Sequence, residues 1–207
     1  MWLVELGRLR VRGDFLLLPL LMFLFSPPVV PAAVFAAALL HEMGHLSVMA
    51  CFGVRCRELR LTAWGAEIDA PKLCLLSYGR ELCVTLAGAA GNIAAAFVLS
   101  GCALRLGWEE GYLFAGAQLL LGLFNLLPVQ PLDGGRALYL LCAWLGGPYL
   151  ADMICVLTGV VVGTLIMAAG VYISLLRRSG ALFVLSAFAL FLSALRQLGL
   201  AKGAPRV

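Results

Sequence analysis

His41, Glu42 and His45 stand in the stretch AAALLHEMGHLSVMACFG, residues 36 to 53, and the chain has 2 histidines in all. On a helix, residues four apart share a face, so the two imidazoles can hold one metal ion through ring nitrogens. Glu42 lies about 100° around the helix from His41, close to such an ion but poorly placed as a third ligand. The H-E-x-x-H spacing suits hydrolysis. Zinc lowers the pKa of a bound water from about 15.7 to about 7, and the glutamate takes its proton. The bland alternative is a set of polar side chains satisfied within a helix bundle. An ionisable group inside a membrane span costs roughly 2.5–3.5 kcal/mol on insertion scales, which weighs against that alternative for three clustered groups.

Two histidines leave a catalytic zinc one protein ligand short of the usual three. Most of the 11 carboxylates lie in polar stretches, but Asp133 sits among Pro128, Pro131, Gly134 and Gly135 just before a helical pattern. Taken alone, Asp133 reads as a helix N-cap. Beside a zinc motif that lacks a ligand, it is the best candidate for the third.

The elements that must position these residues are membrane spans. The chain has 207 residues, 63% hydrophobic and 13% charged, with a mean hydropathy of +1.01. Charged residues make up about 25% of an ordinary soluble domain, so an all-α polytopic membrane protein is expected. Six spans are read at about 15–28, 31–52, 81–104, 112–127, 150–175 and 181–199. Prolines 27, 28 and 31 separate the first two, because proline lacks the amide donor and disfavours helix before it. The second span then carries the histidines inside the membrane. Between the fourth and fifth spans, the Pro/Gly segment carrying Asp133 is irregular and precedes a short apolar helix over 136–146. Gly159 and Gly163 form a small-xxx-small pattern for helix contact. The alternation in GRLRVRGD and in residues 54 to 72 suggests strands forming a small interfacial β element.

Net charge is +4, with basic residues scattered rather than gathered, which argues for membrane anchoring and no nucleic-acid partner. The positive-inside rule puts the N-terminal arginines and the 53–80 loop on the cytoplasmic side, although Arg177 and Arg178 then fall outside. The N-terminal apolar run is read as a span rather than a cleaved signal peptide. The 7 cysteines contain no CxxC pair and read as free thiols.

HEMGH in the second span, with NLLPVQPLDGGR after the fourth, resembles the site-2 protease family of intramembrane zinc metalloproteases. The resemblance implies Zn2+ held by His41, His45 and Asp133, with Glu42 as catalytic base. The family's asparagine and proline are matched by Asn125 and Pro128, and its third-span pattern by AGAAGN with Asn92, although Ala89 stands where many members have proline. TAWGAEI is similar to its membrane hairpin, with the usual glycine pair reduced to Gly65 and Ala66. Asn125, Asn92 and Gly65 are accordingly candidate substrate-binding residues.

The resemblance is greatest to the branch containing the stage IV sporulation protein FB, without its CBS domain and without a PDZ domain. It implies regulated intramembrane proteolysis of a membrane-associated protein substrate, a bacterial cytoplasmic membrane location, and leaves open an inhibitory membrane partner and a sporulation role. The rival readings are a membrane metal transporter and a catalytically dead helix-binding scaffold.

Overall fold

The computed structural model describes residues 2–6, 9–12, 23–62 and 65–177. The expected spans at 15–28, for the most part, and at 181–199 lie outside these residues. The chain divides into two compact units, Met1–Leu123 and Phe124–Val207.

In the first unit, strands β1 (Trp2–Leu6) and β2 (Leu9–Arg12) precede helix α1 (Val29–Cys51), which carries the histidines. Pro28 is the N-cap of α1 and Pro31 lies in its first turn, where a missing N–H costs no intrahelical bond. Strands β3 (Glu58–Thr62) and β4 (Gly65–Asp69) follow, then a 3-10 turn at Leu73–Leu75 and helix α2 (Tyr78–Leu106). Helix α2 stops where Gly107 takes a left-handed φ of 64° and donates its N–H to the Ala103 carbonyl. Helix α3 spans Glu109–Asn125.

The four strands form one sheet in the order β1-β2-β3-β4. Strands β2 and β3 run parallel, with Leu9 opposite Leu59 and Val11 opposite Leu61, and the crossover between them contains α1. Strand β4 returns antiparallel, pairing Ile68 with Leu59 and Gly65 with Thr62. Ion pairs reinforce it: Glu58 meets Arg10 at 2.8 Å and Arg60 at 3.1 Å. Beyond the sheet, Met49, Val54 and Val84 form a buried cluster onto which Phe52, Ile68 and Leu76 pack. This cluster ties the end of α1 to the start of α2.

The buried residues of α1 are Pro31, Ala33, Ala37, His41, His45 and Met49. From Ala33 onward they recur every four residues, so the histidines sit on one packing face between Ala33 and Ala37 on one side and Met49 on the other. Helix α2 answers with Val84, Thr85, Gly88, Ala89, Asn92 and Ala96. Small residues let the two backbones approach. A Cβ on Gly44 would lie 2.7 Å from the Ala87 carbonyl oxygen, so glycine is required at that approach.

In the second unit, helix α4 spans Asp133–Gly146 and α5 spans Pro148–Arg177. Helix α4 begins three residues before the expected 136. The glycine pair read as irregular is helical, and glycine is needed there because a Cβ on Gly134 would overlap the Leu126 carbonyl and one on Gly135 would lie 2.5 Å from the Gln130 nitrogen. These glycines seat the helix against the preceding turn. Ala151, Cys155, Gly159 and Gly163 are buried along one face of α5.

Three described helices are long and apolar enough to cross a membrane: Val29–Cys51, Tyr78–Leu106 and Pro148–Tyr172. Helix α3, with 17 residues, extends about 25 Å at about 1.5 Å per residue, short of a hydrocarbon core of about 30 Å. Cys51, Cys56, Cys83, Cys102, Cys142 and Cys155 are free thiols.

Candidate metal centre

The centre is built on the packed face of α1. His41 and His45 are 6% and 8% exposed despite being ionisable, so their burial needs partners. Each Nδ1 has one. His45 Nδ1 donates to the Val84 carbonyl at 2.8 Å, and His41 Nδ1 donates to Asn92 Oδ1 at 2.9 Å. With both Nδ1 atoms protonated, a neutral ring carries its lone pair on Nε2. The two Nε2 atoms face each other at 3.1 Å, their ring centroids 4.7 Å apart and their planes near perpendicular at 84°. Two facing lone pairs repel, and a shared cation turns that repulsion into ligation. The imidazole pair therefore fits a metal ion.

Two further features hold this geometry. Asn92 is 0% exposed, and its Nδ2 donates to the Ala37 carbonyl at 3.0 Å and to Gln118 Oε1 at 2.6 Å. Both amide protons are thus committed, and Oδ1 is left facing His41. Gly88 supplies the space: a Cβ there would overlap His45 Nε2 and come within 2.8 Å of the His41 ring.

The remaining expected site residues are placed as follows. Glu42 is half-buried on α1 beside His41, and Asn125 is the half-buried last residue of α3. Gly65 opens strand β4. The N-cap of α4 is Leu132, so Asp133 occupies the first helical position and is not the N-cap that its sequence context suggests. Its carboxylate stands at the positive end of the helix dipole. Two facing imidazoles are donors suited to zinc.

Gln118 is the participant that sequence reasoning missed. It is 4% exposed and accepts from Asn92. Its signal was an uncharged amide alone in the apolar run of α3, AGAQLLLG.

No protein-family model matches the chain. The chain is 33% identical over 115 residues, 49% of its length, to Rip3 of Mycobacterium tuberculosis, named as a zinc metalloprotease. It is 30% identical over 106 residues, 50% of its length, to stage IV sporulation protein FB of Bacillus subtilis. The matches cover 28% and 36% of those proteins, so the chain spans about a third of the length of the curated relatives it matches. Among solved structures, the site-2 protease from Methanocaldococcus jannaschii matches 100% of this chain and 97% of its own, with TM-score 0.66 and 21% identity. That likeness is one of fold. The membrane-length helices and these relatives make the chain an integral membrane protein. The chain thus shares sequence over about half its length with these two relatives and a fold over all of it with a site-2 protease.

Proposed function

We propose that the chain is an intramembrane zinc metalloprotease, with His41, His45 and Asp133 as ligands and Glu42 as general base. The observation that carries this reading is the convergence of two imidazole Nε2 atoms at 3.1 Å, each ring held from behind at Nδ1. A bound zinc ion would supply Lewis-acid polarisation of a peptide carbonyl and acidify a water.

Glu42, one residue on from His41, takes the water's proton on its carboxylate and returns it to the departing amine. Asn125 orients the substrate carbonyl through its side-chain amide. The substrate is a membrane-associated protein with an unwound segment, held extended along the strands that include Gly65 by β-augmentation. Six spans, a sheet at the membrane interface and a cytoplasmic N-terminus in a bacterial cytoplasmic membrane complete the proposal. The comparisons do not favour the transporter or scaffold alternatives.

The test is Glu42→Gln in purified protein given a transmembrane substrate. Removing the base is expected to lower cleavage by about 10²–10⁴-fold while zinc stays bound. Unchanged cleavage would sink the mechanism.

A further inference from the structure

We propose that Gln118 is a positioning residue for the metal centre: through the Asn92 amide it sets which ring nitrogen of His41 carries the proton. The inference rests on the zinc reading above for its purpose, but its geometry is separate. Gln118 Oε1 accepts one Asn92 Nδ2 proton at 2.6 Å and the Ala37 carbonyl accepts the other at 3.0 Å. An amide whose two protons are both engaged cannot turn over without setting oxygen against oxygen. Asn92 Oδ1 therefore stays on His41 Nδ1, at 2.9 Å, and requires a proton there. The His41 lone pair is thereby assigned to Nε2, the atom facing His45 Nε2.

Without Gln118, only the Ala37 carbonyl opposes rotation of the Asn92 amide. The flipped amide presents Nδ2–H to His41, which then accepts at Nδ1 and carries its proton on Nε2. A protonated Nε2 cannot ligate a metal. His45 has no such dependence, because its Nδ1 is fixed by the Val84 backbone carbonyl. Groups behind a metal-bound histidine typically change metal affinity by about 10–100-fold when removed.

The chain's 2 histidines make the test direct. In 15N-histidine-labelled, metal-free protein at about pH 8, where an ordinary imidazole is neutral, ring-nitrogen shifts report the tautomer of each ring. Wild type and Gln118→Glu, which keeps an acceptor oxygen, are expected to show His41 protonated on Nδ1. Gln118→Met is expected to move His41 toward the Nε2–H form while His45 stays unchanged as an internal control. Zinc affinity by chelator competition should fall about tenfold in Gln118→Met and recover in Gln118→Glu. Gln118→Leu replaces the methionine variant if that does not fold.

A His41 tautomer indifferent to Gln118→Met, or an Nε2–H tautomer already present in wild type, overturns the inference. Failure of wild type to bind zinc instead overturns the metalloprotease reading, while the tautomer measurement still judges Gln118.

Discussion

His41 Nδ1 and Asn92 Oδ1 lie 2.9 Å apart across the interface of α1 and α2, joining residues 51 positions apart in sequence. The bond does two things at once. It satisfies a buried imidazole, and it turns the opposite face of the ring toward His45 with its lone pair outward.

Asn92→Ala removes that acceptor together with the two Asn92 donors. Interhelical hydrogen bonds in membranes contribute about 0.6 kcal/mol on average, with a maximum of about 1.7. The folded state should therefore survive. Loss of a partner behind a metal-bound histidine weakens binding by about 10–100-fold, equivalent to about 1.4–2.8 kcal/mol, so the metal site suffers more than the fold. Zinc competition alongside thermal melting in detergent measures both, and Asn92→Ala should separate them.

Gly88→Ala tests the space in front of the histidines. Alanine is favoured over glycine in a helix interior by about 1 kcal/mol, so propensity alone predicts stabilisation. Here a Cβ would overlap His45 Nε2 and crowd the His41 ring. The expected result is lost zinc binding and a lower Tm, because overpacking costs about 1–3 kcal/mol. Gly91→Ala on the same helix is the control, since nothing lies within 4 Å of a Cβ there. It should leave zinc binding unchanged and melt at or above wild type.

Asp133→Asn keeps the side chain's size and removes its charge. At the first position of α4, that charge is worth about 0.3–1 kcal/mol against the helix dipole, so stability should change little. Loss of the proposed third ligand should exceed the roughly 10–100-fold effect of a residue behind one. Metal analysis of the purified variant checks this. Wild-type zinc content in Asp133→Asn would remove Asp133 from the ligand set.

The H-E-x-x-H face was legible in sequence because helical spacing alone puts His41 and His45 together. The long apolar helices were legible because hydropathy is a local property. Asn92 carried a weaker signal, and Gln118 almost none, because its role depends on a partner 26 positions away on another helix. The start of α4 was misjudged for a related reason. Gly134 and Gly135 break helices by propensity, yet here they are the residues small enough to pack against the turn at 126–130. The parallel pairing of β2 with β3 joins segments separated by the whole of α1, a distance no local pattern encodes.

Glu58 links the strands electrostatically and gives the sheet a pH dependence. The hydrogen bond from Arg60, reinforced by the charges of Arg10, Arg60 and Arg57, holds its carboxyl below the ordinary glutamate value and outweighs the opposing effect of desolvation. A carboxyl depressed in the folded state stabilises fully above its unfolded pKa of about 4.3 and loses that contribution as pH falls through the folded value. Strand β3 should therefore loosen on acidification below about pH 4.3. Hydrogen exchange of the β2–β3 amides at descending pH should show protection falling there. In Glu58→Gln, protection should be lower at neutral pH and flatter toward acid, because no charge remains to be lost. Surface ion pairs are screened by salt, so the wild-type difference should also shrink at about 1 M ionic strength. An acid profile identical in wild type and Glu58→Gln would show that the sheet holds by backbone pairing alone.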